Sequence, residues 1–179
     1  DVPTIIVEDG ALYLNGGELS TLSSVTLLAG STGNRIVSQI TGSQTLTLTG
    51  NATLTQLNAA NSYSGGTVIS GTTVDLDHES LAGFGSGAVT VSDGGSLQIS
   101  NFTSASGGFD QEVDHDLTVQ GADSSISLNT ESSGFLTFGT SNGETRNLTI
   151  ADGGAFSSAI NIGFGAVNGA TANVLVTGS

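Results

Sequence analysis

Strand-like runs of alternating apolar residues and threonine, each closed by a small-residue turn, recur along the whole of this sequence: "SVTLLAG", "QTLTLTGN", "GTVISG", "AVTVSDGG", "DLTVQGAD", "NLTIADGG" and "ANVLVTGS". Their first core-type residues are Val25, Leu46, Val68, Val89, Leu117, Leu148 and Val174, so the early runs stand 21 to 22 residues apart and the later ones 26 to 31. A period of that size, carried by strand chemistry, marks a solenoid in which each coil leaves an apolar face that only the next coil covers. No segment repeats apolar residues at helical spacing with caps at both ends; "ATLTQLNAAN" comes nearest, and its threonine alternation reads as strand. The expected fold is therefore all-β, a right-handed parallel β-helix of about seven to eight rungs with almost no α-helix. It is expected to fill residues 1–179 as one unit, reading as a piece of a longer protein.

A coil of about 21 residues accommodates three strands of four to five residues and three turns. Stacked at about 4.8 Å per strand, the rungs make a rod roughly 35 to 40 Å long. Alternate residues point inward, so Val, Leu, Ile and Phe stack on their counterparts while Thr, Ser, Asp and Gln face water. The longer late intervals predict loops projecting around Ser100 to Asp116 and Asn129 to Arg146. Asp93-Gly94-Gly95 and Asp152-Gly153-Gly154 are expected at the same corner of two rungs, because Gly, Asp and Asn tolerate the positive φ of tight corners. The same Asp-Gly pairs would suit hairpins, and the long period favours the coil.

Composition narrows the function. The chain has 27 Gly, one Pro, no Cys, no Met and no Trp, and only 10% of its residues are charged. It can form neither a disulfide framework nor a thiolate metal site. A formal charge of −14, with Arg35 and Arg146 as the only strong bases, repels phosphate backbones and anionic lipid headgroups. Nucleic acid is thereby excluded as an expected partner. No run of 18 apolar residues crosses a membrane, so membrane insertion by this chain is not expected either.

The stretch "NSYSGGTVISGTTVDLDHESLAGFGSGAVTVSDGGSLQI", Asn61 to Ile99, resembles the autotransporter-associated β-strand repeat. Its pattern of Asn-x-Tyr-x-Gly-Gly-Thr, a β run, Leu-Gly-x-Gly and Val-Thr-Val-x-x-Gly-x-Leu is matched by Asn61, Tyr63, Gly65, Gly66, Thr67, Leu81, Gly83, Gly85, Val89, Thr90, Val91, Gly94 and Leu97. Ala82 separates Leu81 from Gly83, a one-residue departure in a turn. "NLTIADGGAFSSAINIGFGAVNGATANVLVTGS", residues 147–179, is similar to a second repeat shared by autotransporter passengers and some exported surface proteins. The resemblance implies a passenger-domain β-helix, displayed at or released from a Gram-negative bacterial surface, and carries over no catalytic residues.

The motifs that resemble active sites fail on their context. "SDGGS", Ser92 to Ser96, has the letters of a serine-protease loop in the wrong order and repeats the "ADGG" turn found elsewhere. "FGSGA" around Ser86 has Phe84 where a nucleophile elbow needs glycine, and no helix follows "GFGSG" to make a dinucleotide loop. Two acidic strips are candidate cation ligands. In "VDLDHES" the inward parity of Val74 and Leu76 puts Asp75, Asp77 and Glu79 on one exposed face; in "DQEVDHDL" Glu112, Asp114 and Asp116 stand likewise opposite Val113, His115 and Leu117. Three carboxylates at i, i+2, i+4 hold a hard cation such as Ca2+ only if a neighbouring rung completes six or more oxygens. The expectation for both strips is a solvated face, with no metal and no cofactor. Of the two histidines, His78 and His115, the latter falls on the inward parity.

With two Tyr, no Trp and two Arg, the chain has little to stack on sugars or to pair with uronates, so a polysaccharide-acting enzyme ranks last and no enzymatic activity is expected. The sequence points first to an extracellular or surface-displayed adhesin scaffold. Its expected partners are a host or bacterial cell-surface protein or glycan, or like molecules through self-association. A structural protein whose rungs stack end to end into a filament or sheath stands second.

Overall fold

The computed structural model describes residues 4–8, 11–12, 22–28, 34–77, 81–101, 111–129, 135–139, 143–165 and 169–178. They form strands β1 (Thr4–Glu8), β2 (Ala11–Leu12), β3 (Ser24–Leu28), β4 (Asn34–Ile36), β5 (Leu46–Gly50), β6 (Thr53–Leu57), β7 (Thr67–Ser70), β8 (Thr73–Asp77) and β9 (Val89–Ser92). The series continues with β10 (Ser96–Ser100), β11 (Gln111–Val113), β12 (Leu117–Gln120), β13 (Ser125–Leu128), β14 (Phe135–Phe138), β15 (Thr145–Ala151), β16 (Ala155–Ser158), β17 (Asn161–Phe164) and β18 (Thr171–Thr177). Among the described residues, the helical content is one turn of 3-10 helix, Leu81–Phe84.

The strands assemble into three parallel sheets, the faces of a β-solenoid. The first has eight strands in the order β1-β3-β5-β7-β9-β12-β15-β18, the second seven as β16-β13-β10-β8-β6-β4-β2, and the third three as β11-β14-β17. Strands adjacent in sequence lie in different sheets, and each pairs with the strand one coil away, as a coiled chain requires. About five turns can be followed, fewer than the seven to eight expected. Among the described residues the third side is strand in three coils, and several corners lie outside them. Earlier coils close that side with irregular chain, tied by backbone bonds between coils such as Ser62 N–H to the Ile40 carbonyl (2.9 Å) and Ser86 N–H to the Tyr63 carbonyl (3.0 Å).

Inward columns run unbroken from coil to coil. In the first sheet Val25, Leu48, Ile69, Val91, Val119, Ile150 and Val176 stand in register, and in the second Leu54, Val74, Leu97, Ile126 and Phe156 do. Burying one such Leu, Ile or Val side chain contributes about 1.5–3 kcal/mol, so these stacks dominate the stability of the rod. The third sheet adds Val113 on Phe138 on Phe164, whose two aromatic rings stack at 5.6 Å.

One parity differs from the sequence reading. Thr67 and Ile69 face inward and Val68 faces outward, in the column of Thr47 and Thr90. The loop expected over 100–116 and the one over 129–146 contain β11 and β14, because the longer coils use part of their extra length to pair a third sheet. Residues 102–110, 130–134 and 140–142 lie outside the described residues. The two Asp-Gly-Gly sites do occupy the same corner, between the first and second sheets. Asp93 and Gly94 (φ 54° and 76°), like Asp152 and Gly153 (51° and 84°), adopt left-handed backbone. Gly95 N–H then closes on the Ser92 carbonyl and Gly154 N–H on that of Ala151. Positive φ at both central residues is the geometry of a tight hairpin turn; here it delivers the chain into a different sheet.

Candidate functional site

The motif from Asn61 to Thr67 builds the corner between the third and first sides of its coil. Buried Asn61 accepts a hydrogen bond from Ile40 N–H of the preceding coil (2.7 Å) and gives its amide N–H to the Gly83 carbonyl of the following one (2.8 Å). An amide has one donor end and one acceptor end, so it joins a free N–H on one side to a free carbonyl on the other. Tyr63 is fully buried, and burial pushes its hydroxyl well above the ordinary tyrosine range against the smaller pull of its Thr67 bond. It therefore stays a donor: the Tyr63 hydroxyl lies 2.5 Å from Thr67 Oγ1, which in turn donates to the Phe84 carbonyl at 3.2 Å. This chain of bonds explains how a threonine comes to stand in a column of Leu46 and Val89. Gly66 has φ +87°, and a Cβ there would stand 2.6 Å from the Ala88 carbonyl oxygen. The glycine pair is thus a close stack of one coil on the next.

The first acidic strip is a strand face. Asp75 and Asp77 alternate on β8 with buried Val74 and Leu76, and both are exposed; Glu79 and His78 lie outside the described residues. The following coil sets Gln98 beside Asp75 and Ser100 beside Asp77. Asn101 gives its amide N–H to Asp77 at 2.9 Å. That neighbour offers a donor where a cation would need another oxygen.

The second strip does not form a single face. β11 ends at Val113 and β12 begins at Leu117, so Glu112 lies in the third sheet while Asp114 and Asp116 lie on a corner. The alternation 112, 114, 116 persists in burial, but the chain turns between those positions and sends each carboxylate to a separate task. Asp116 accepts from Asn147 twice, from its backbone N–H (2.8 Å) and its side-chain amide (2.9 Å), 31 residues on. Asn147 Oδ1 in turn accepts from Asn173 at 2.9 Å, extending the ladder to β18. Asp114 stands 2.6 Å from His115 Nδ1. Burial opposes its charge, yet the His115 hydrogen bond, that ring's charge and the Arg146 guanidinium outweigh burial and hold the carboxyl below its usual range. Glu112 moves the other way, raised first by burial and then by Glu144 and Asp114, with Arg146 countering. Arg146 itself pairs with Glu144, and its buried Nε has no partner among the described residues.

His115 faces inward as its parity predicts and is buried, with Nε2 3.0 Å from the Gly85 carbonyl of the preceding coil. Among the described residues no three His, Asp or Glu side chains come together as metal ligands. Sequence reasoning missed the Thr67 relay, the Asp116–Asn147–Asn173 ladder and the Glu144–Arg146 pair. The ladder had a signal: Asp116, Asn147 and Asn173 precede equivalent strand positions. The other two depend on contacts that no spacing encodes.

Comparison with known protein families, with characterised proteins and with solved structures finds no match to this chain.

Proposed function

We propose that this chain is a β-solenoid scaffold exported to, and displayed at or released from, a bacterial cell surface, where it acts as an adhesin or a self-associating passenger rather than as an enzyme. The observation that carries this reading is the use of the Asn61–Thr67 motif: its amide and its hydroxyl relay run to the backbone of neighbouring coils. A motif committed to stacking supports a scaffold whose partners meet its outer faces. Those faces present Thr, Ser, Gln and Asp in rows set by the coil repeat, suited to many weak polar contacts with a protein or glycan surface. The finer architecture belongs to the same proposal. The eight strands of the first sheet support seven to eight rungs, and the handedness of parallel crossovers supports a right-handed coil.

The second reading is an end-to-end filament or sheath, because the parallel ladders that pair coil to coil can pair molecule to molecule in the same way. Two measurements separate the readings. Fluorescently labelled chain incubated with bacterial and epithelial cells and with a glycan array is expected to be retained through washes at raised salt, while sedimentation velocity shows a monomer or small oligomer. Concentration-dependent growth into long polymers without cell binding moves the function to the filament. Release of reducing ends from a polysaccharide panel, or a chain that neither binds nor associates, overturns the scaffold reading.

A further inference from the structure

His115 stands between two acceptors. Its ring fills the corner between β11 and β12, buried to 4% exposure, with Nε2 at the Gly85 carbonyl of the preceding coil and Nδ1 at the Asp114 carboxylate. A backbone carbonyl only accepts, so the 3.0 Å contact needs a proton on Nε2. An ionised carboxylate also only accepts, so the 2.6 Å contact needs a second proton on Nδ1. A neutral ring satisfies one of the two and sets its bare nitrogen against an oxygen lone pair. Among the described residues, the other charged groups around the corner have interactions of their own. Asp116 is bound to Asn147 of the next coil, and Arg146 is paired with Glu144, while Glu112 of β11 adds negative charge. From the preceding coil the group facing the ring is the uncharged Gly85 backbone.

We infer that His115 is a proton-dependent fastening between coils: as the imidazolium it ties the 113–117 corner to the Gly85 corner, and loss of the ring proton as pH rises releases one of its two bonds. The mechanism is independent of what the outer faces bind. It makes the seam between these coils a place where local opening responds to pH while the apolar columns on either side stay closed.

The test uses the full 179-residue chain carrying His78→Asn, which leaves His115 as the only imidazole, with 15N NMR of the ring and amide hydrogen exchange across pH. Both ring nitrogens are expected to be protonated for as long as exchange at the two corners stays at its low plateau. Above the pH at which the ring proton is lost, exchange at Gly85 to Ala88 and Val113 to Leu117 should exceed base catalysis by about tenfold, the factor implied by loss of a charge-assisted bond. Asp114→Asn removes the carboxylate and keeps the side chain's shape. In that variant the excess exchange should vanish. A single neutral tautomer in the parent chain while exchange is at its low plateau, exchange that follows base catalysis alone, or the same excess exchange in Asp114→Asn overturns the inference.

Discussion

Single residues in this protein carry weight in proportion to the number of coils they touch. Asn61→Ala removes both inter-coil bonds and leaves Ile40 N–H and the Gly83 carbonyl unpaired, at about 1–3 kcal/mol for each group stranded. The urea midpoint should fall accordingly, and by more than for Asn58→Ala, whose amide reaches one coil, at the Val37 carbonyl. Glycines offer a sharper comparison. Gly66→Ala combines a left-handed φ with a Cβ 2.6 Å from the Ala88 oxygen, whereas Gly94→Ala has φ +76° and open space around the new atom. The second should cost about 1 kcal/mol of backbone strain, and the first clearly more; equal losses in thermal melts would remove the close stack from the explanation. The role of Thr67 was not legible in the sequence: apolar parity nominated Val68, and only the Tyr63 hydroxyl and the Phe84 carbonyl make a buried threonine acceptable.

At the scale of elements, the corner between β11 and β12 holds, among the described residues, two carboxyls whose titration the fold shifts. Asp114 is held below its ordinary range when folded, so its contribution is present above the unfolded carboxylate range and is lost as pH falls through the lowered value. Glu112 is raised, so its charged form opposes folding and its protonation on acidification favours the fold. The denaturant midpoint should therefore drop on acidification less in Asp114→Asn than in the parent chain. Glu112→Gln should raise the midpoint at neutral pH by a small margin, since the site is mostly solvated. Sequence periodicity located seven of the eight strands of the first sheet through their repeated Thr-containing runs; β1, "TIIVE", lacks that alternation. It missed β14, whose short segment "FLTF" has no alternation long enough to read. At β11 the alternation was visible but continues past Val113 to Leu117, so an acidic triplet counted along the chain resembled one face, when a corner divides it.

The whole molecule is a low-basicity rod with a formal charge of −14. Its acids repel one another in the folded state, and screening shortens the reach of that repulsion to about 10 Å at 0.1 M salt. Raising NaCl from about 10 mM to that concentration should therefore raise the melting temperature, and a flat or falling trend would mean that the charges are already compensated locally. At this scale the solenoid class was legible from the 21-residue recurrence alone. The number of complete turns was not, because long coils hold insertions that a period cannot distinguish from further sides. The reach of Asn61 also has a mechanical consequence. A rod whose coils bond only to their neighbours yields to tension by peeling, one coil at a time, each release a small step in force. Asn61 grips the coil before and the coil after its own, so a front of unravelling that reaches it must break two seams together. Pulled from its ends, the chain should pause there.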